Sequence, residues 1–237
     1  MSLYTRHHRV GASQTGGDGR MKLVSAIDVM QDCSILWMES EPAFSQHLSD
    51  HNLGMFLLSR QADVLRLPRY GETVRAVTGI FRVKSYCGYR NTVLYGEDGA
   101  PCVLSWGLGA FVSYESGQMA KLPATVIASV TLDPAVDMPY LDRRIALPEG
   151  PFRPMPEVPV RRGDIDFNGH MNNARYLEAA LELLPEGPPV RRFRVEYKSS
   201  AKLGGCLHPT YAETAEGAFL ILADGAGKPY TVMEFTF

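Results

Sequence analysis

The stretch MNNARYLEAALELL, residues 171–184, places Met171, Ala174, Leu177, Leu181 and Leu184 at three- and four-residue steps. That spacing lines one apolar face of an α-helix, and Pro185-Glu186-Gly187-Pro188 stops it. The pattern occurs once more upstream, where Leu23, Ile27, Met30, Cys33 and Trp37 predict an amphipathic helix over residues 22–39. Each helical stretch is followed by strand-like segments broken by glycine turns: Tyr70-Gly71-Glu72 and Glu97-Asp98-Gly99 after the first, Gly204-Gly205 and Asp224-Gly225 after the second. The segments PCVLSWGLGAFVSY and KPYTVMEFTF are aromatic and β-branched, as strands packed over a helix should be. The chain therefore reads as a helix and then several antiparallel strands, twice.

Half of the sixteen prolines fall between Pro123 and Pro159, in a stretch without helical or strand periodicity. It reads as an extended connector. The expected division is an N-terminal repeat over residues 1–125, a proline-rich linker over 126–156 and a C-terminal repeat over 157–237. The fold class is α+β, and a central helix wrapped by a curved antiparallel sheet, made twice, is a double hotdog. Two unrelated α+β domains would give a similar string of elements.

A formal charge of -2 argues against a nucleic-acid partner, which calls for a basic balance or stripe. No run reaches the roughly 18 apolar residues needed to cross a bilayer, and residues 1–20 carry no apolar signal core. A soluble, cytoplasmic protein without a membrane partner is expected. The opening M-S-L reads as a cloning remnant. Cys33, Cys87, Cys102 and Cys206 lack C-x-x-C spacing and lie in apolar stretches, so buried reduced thiols are expected, with no metal site and no disulfide framework.

Ahead of the second helix, DIDFNGHMNN packs Asp164, Asp166, Asn168, His170, Asn172 and Asn173 into residues 164–173. Helix capping and an Asx turn account for part of such a cluster, Asn172 and Asn173 above all. A calcium loop fits only its first half, because Arg175 stands where a bidentate Glu belongs. If residues 164–170 are extended, Asp166, Asn168 and His170 share one side with Asp164. A carboxylate orients water, an imidazole shuttles a proton near neutral pH, and an amide donates to a developing oxyanion. The start of the helix near residue 171 adds its positive dipole end. Thioester hydrolysis needs those roles.

On the motif D166-F-N-G-H-M-N-N173 the chain resembles the acyl-ACP thioesterases, plant-type and bacterial. The resemblance extends over the first helix, the WGLGAFV segment at Trp106, the KLP of Lys121–Pro123 and the RVEY of Arg194–Tyr197. It implies a tandem hotdog, catalytic roles for Asp166, Asn168 and His170, no cofactor, and as partner an acyl carrier protein bearing an acyl-phosphopantetheine thioester. Family members place a Glu and then a Cys after their E-Y pair, where this chain has Ser200 and Ala201. Asp166, His170 or both then orient the attacking water, with Ser200 a hydrogen-bonding substitute at the substrate. Cys206 stands five residues past Ala201, on the opposite face of an unbroken strand.

The resemblance further implies that Met30, Cys33 and Trp37 line the acyl chain, although an apolar stripe is more often core. The pairs Arg143-Arg144, Arg161-Arg162 and Arg191-Arg192, with Arg194, could meet an acidic carrier. Acyl-CoA hydrolysis and non-catalytic binding of acyl thioesters stay open as alternatives, and so does a homodimer.

Overall fold

A computed structural model describes residues 3–237; Met1 and Ser2 of the opening M-S-L lie outside the described residues. The chain forms two compact units, one made of residues through Leu58 with Ala62–Tyr140, the other of Ser59–Gln61 with Leu141–Phe237.

The first unit begins with strand β1, Tyr4–Arg9, followed by helix α1, Leu23–Leu36, and a 3-10 turn at Trp37–Ser40. The residues that predict the first helix are its buried ones: Ile27, Met30, Cys33 and Trp37 are each at most 1% exposed. Helix α2, Pro42–Asp50, was not expected, because only Phe44 and Leu48 mark its inner face. Those two pack with Trp37, Ile80, Phe111 and Leu122, and Phe44 sets its ring 5.9 Å from both Trp37 and Phe111. Strands β2 (Leu53–Val64), β3 (Thr73–Lys84), β4 (Cys87–Tyr95) and β5 (Pro101–Ser113) complete an antiparallel sheet ordered β1-β3-β4-β5-β2. Helix α1 lies against β1, β3 and β4.

The proline-rich stretch is more structured than an extended connector. Ala124–Ser129 form a short helix, α3, and Val126 and Ile127 pack against the Trp37 cluster. Farther on, two-residue strands β6 (Arg153–Pro154) and β7 (Val158–Pro159) both pair with β9 (Cys206–Thr214). Proline is tolerated there because these are edge positions.

The second unit holds helix α4, Asn173–Leu183, with strands β8 (Arg192–Tyr197), β9, β10 (Gly217–Ala223) and β11 (Pro229–Thr236) in the order β8-β11-β10-β9-β6. Ala174, Tyr176, Leu177, Ala179 and Ala180 are the buried residues of α4, and the helix rests on β10. Each unit is thus a helix held against an antiparallel sheet. No helix among the described residues is long and apolar enough to cross a membrane.

Candidate active site

Asp166, Asn168 and His170 lie together in one tight turn that leads into α4. An antiparallel bridge between Ile165 and Met171 closes it. Inside, the Asp166 N–H donates to the His170 carbonyl at 2.9 Å and the Gly169 N–H to the Asp166 carbonyl at 3.0 Å. The Asp166 Oδ1 accepts the Asn168 N–H at 2.8 Å, an Asx turn that uses one of the two carboxylate oxygens. Gly169 has φ +72°, a backbone state that glycine adopts without strain.

The extended alternation predicted for residues 164–170 is therefore wrong. A left-handed residue at 169 and the Asp166 side chain fold the segment back, and proximity within the turn brings the three residues together. All three are half-buried, while Phe167 at the tip is 81% exposed.

Asp164 and Asn172 are structural. Asp164 accepts the Arg161 N–H at 2.7 Å and its carbonyl accepts the Asn172 N–H at 2.8 Å. Asn172 caps α4, taking the Ala174 N–H on its side chain at 2.8 Å and the Arg175 N–H on its carbonyl at 2.9 Å. The cap thus occupies two of the amides at the start of α4.

Beneath the turn lies a contact that the sequence reading missed. Ala201, 1% exposed, is held on both sides: its carbonyl accepts the Met171 N–H at 2.9 Å and its N–H donates to the Tyr176 hydroxyl at 2.7 Å. Tyr176 packs among Tyr197 and Tyr230, with ring centroids 6.2 and 6.5 Å away. Burial first, then the charges of Tyr230 and Asp166, push its phenol up to about 12, so it stays a neutral acceptor. Ser200, next in the chain, is exposed beside the turn. The only local signal for Tyr176 is a hydroxyl on the apolar face of α4.

Met30, Cys33 and Trp37 belong to the core of the first unit. The Cys33 thiol donates to the Ala76 carbonyl at 3.4 Å, and burial pushes its pKa up to about 11. Of the arginines, Arg143, Arg144, Arg161, Arg162 and Arg191 are exposed. Arg194 is committed to Glu234 and to the Asp142 carbonyl. Cys206 starts β9, beyond a break in the chain's extended course at Lys198–Gly205, so strand alternation from Ala201 does not apply to it. Its half-buried thiol is held above the ordinary range by burial and then by Glu157.

The model of the acyl-ACP thioesterase N-terminal domain matches residues 1–129, and that of the acyl-ACP thioesterase C-terminal domain matches residues 153–214. A search of curated proteins finds no significant match. Among solved structures, an acyl-ACP thioesterase from Bacteroides thetaiotaomicron superposes with a TM-score of 0.89 at 17% identity, covering 100% of this chain and 98% of its own. A 12:0-ACP thioesterase from Umbellularia californica gives 0.87 at 16%, with 100% and 97% covered. An oleoyl thioesterase from Lactobacillus plantarum gives 0.83 at 20%, with 98% and 94% covered. At these identities the superpositions establish the double-hotdog fold, and the family models, one of which spans more than half of the chain, establish the rest: this chain belongs to the acyl-ACP thioesterase family and is a thioester hydrolase.

Proposed function

We propose that Asp166, Asn168 and His170 perform the hydrolysis, acting on a fatty acyl chain held as a thioester on the phosphopantetheine arm of acyl carrier protein. The observation that carries this reading is the single turn that gathers a carboxylate, an amide and an imidazole within five residues and spends only one oxygen of Asp166 on its own backbone. Asp166 orients a water with its other oxygen. His170 takes the water's proton as the new C–O bond forms at the carbonyl carbon, and returns a proton to the departing sulfur as the C–S bond breaks. The products are the free acid and the holo-carrier thiol. Asn168 donates its amide hydrogen to the oxyanion, a contact of a kind whose loss costs about 2.7–4 kcal/mol in barrier height. Without the family's Glu at Ser200, the turn itself supplies the water-activating groups.

Met30, Cys33 and Trp37 line the acyl chain in this reading, and Ser200 gives a hydrogen bond near the arm. The exposed pairs Arg143-Arg144 and Arg161-Arg162 meet the acidic carrier. The place of action is the cytoplasm, in fatty acid biosynthesis. The test is release of free acid from one acyl chain presented on the carrier and on coenzyme A. Wild-type protein should favour the carrier, and D166A should lower kcat on both by about 10²–10⁴-fold, the usual weight of a positioned acid–base group. Undiminished release by D166A would overturn the residue assignment, and faster hydrolysis of the CoA ester would overturn the substrate class.

A further inference from the structure

Glu157, Cys206 and His208 converge at the edge of the second unit, on a face that the thioesterase chemistry leaves unused. Cys206 and His208 are two residues apart on β9 and so point to the same side of the strand. Glu157 comes from the chain between β6 and β7, which crosses β9 where Met155 donates to the Pro209 carbonyl and Val158 pairs with Leu207. The His208 Nδ1 lies 3.1 Å from Glu157 Oε1, the Cys206 Sγ lies 3.7 Å from Glu157 Oε2, and the three candidate ligand atoms all fall within 4.8 Å of one another.

We propose that these three side chains bind a divalent transition ion of the zinc class. Zinc takes sulfur at about 2.3 Å and imidazole or carboxylate at about 2.0–2.2 Å in a tetrahedron, which sets neighbouring ligand atoms roughly 3.4–3.6 Å apart. The imidazole faces one Glu157 oxygen at 3.1 Å and the sulfur faces the other at 3.7 Å, so an ion held by either oxygen draws the three ligand atoms together from within 4.8 Å. A thiol, an imidazole and a carboxylate form a borderline-soft donor set, which suits zinc and excludes calcium or magnesium. Three protein ligands leave the fourth position to water. The Cys206 Sγ also lies 3.6 Å from the Val158 carbonyl and 3.7 Å from that of Leu207.

The position gives the site a use. Glu157 stands four residues ahead of Arg161, where the approach to the turn carrying Asp166 begins, and Val160 and Gly205 hold the two segments together through an N–H to carbonyl bond of 2.9 Å. A bound ion would clip the approach to that turn onto β9.

The test uses the full chain, stripped of metal by a chelator and titrated with Co²⁺ as a coloured stand-in for Zn²⁺. One ion per chain should bind, with a thiolate-to-metal charge-transfer band and the visible bands of a tetrahedral ion, and Zn²⁺ should displace it. C206S should abolish the charge-transfer band. H208A and E157Q should each weaken binding by at least about tenfold, the loss seen even for residues that only support ligands; E157Q alters an exposed side chain and will fold. Absence of a charge-transfer band in the wild type, a band that survives C206S, or unchanged affinity in both H208A and E157Q would each overturn the site.

Discussion

Gly19 at φ +73° and Gly169 at φ +72° occupy the same place in two turns that share their backbone hydrogen bonds one for one, while the side-chain acceptor is Asp18 for the Arg20 N–H in the first and Asp166 for the Asn168 N–H in the second. Gly16 donates to Arg20 as Asp166 donates to His170, Gly19 donates to Gly16 as Gly169 donates to Asp166, and bridges Thr15–Met21 and Ile165–Met171 close the two loops. Even the approach repeats: Gln14 accepts the Gly11 N–H on its side chain as Asp164 accepts that of Arg161. One backbone device therefore introduces the central helix of each unit, and the side chains mounted on it differ. Where the second turn has Asp166, Asn168 and His170, the first has Gly16, Asp18 and Arg20. The same backbone turn forms in the first unit without a carboxylate at its first position, an amide at its third or an imidazole at its fifth.

The supports beneath the turns differ in a matched way. Met21 donates to the Pro68 carbonyl where Met171 donates to that of Ala201. Pro68 has no N–H to satisfy, and the α1 residue equivalent to Tyr176 is Ala26. Ala201 has a buried N–H, and Tyr176 supplies its acceptor. The first turn is instead held from outside, by a loop whose Tyr70 donates to Gly19 and whose Glu72 takes hydrogen bonds from Arg66, Arg69 and Glu97.

This comparison can be sharpened in three steps. The largest expected effect separates His170 from its counterpart: H170A should reduce kcat by about 10²–10⁴-fold, while R20A, at an exposed position, should leave turnover intact and stability within about 0.5 kcal/mol. Steady-state kinetics and denaturant melts on the two variants decide it.

Next comes acid. The Arg66 hydrogen bond, working against burial and aided by the backbone N–H groups of Arg69 and Glu97, lowers Glu72 to about 2. Because the folded value lies below the unfolded one, its contribution is complete above about pH 4.5 and is lost as pH falls toward 2. For a side chain 14% exposed, that contribution is on the order of 2–3 kcal/mol. Unfolding curves should show E72Q destabilised at neutral pH and less sensitive to acid than the wild type. A parallel acid response in both proteins would contradict the assignment.

The smallest effect concerns the second support. Y176F leaves the buried Ala201 N–H without its acceptor, which should cost about 1–3 kcal/mol. Amide exchange at Ala201 should rise, whereas Pro68, at the equivalent place under the first turn, has no amide to expose.

The helices α1 and α4 were legible because their apolar residues keep helical spacing over three turns, and the site was legible because Asp166, Asn168 and His170 are close in sequence. What failed was local geometry. Strand alternation was read through Gly169, whose left-handed backbone reverses the chain and converts an expected face into a turn. Helix α2 escaped because two apolar residues, Phe44 and Leu48, give too short a pattern, and β1 because Thr5, Arg6, His7, His8 and Arg9 look like a polar tail although alternate residues are half-buried against β3. The Ala201–Tyr176 clamp joins residues far apart in the sequence, and neither residue carries a mark of the other. Likewise the spacing of Met30, Cys33 and Trp37 gives their burial, and burial is common to core residues and to residues that line a ligand.

The most direct test moves the first turn's chemistry onto the second. The triple variant D166G/N168D/H170R keeps the backbone that Gly16, Asp18 and Arg20 already support, so it should fold with native circular dichroism and a cooperative melt. Single-turnover release of free acid from acyl-carrier protein should then fall to the background rate. Hydrolysis that persists in the folded triple variant at a rate near that of the wild type would show that the reaction is carried out elsewhere in the chain.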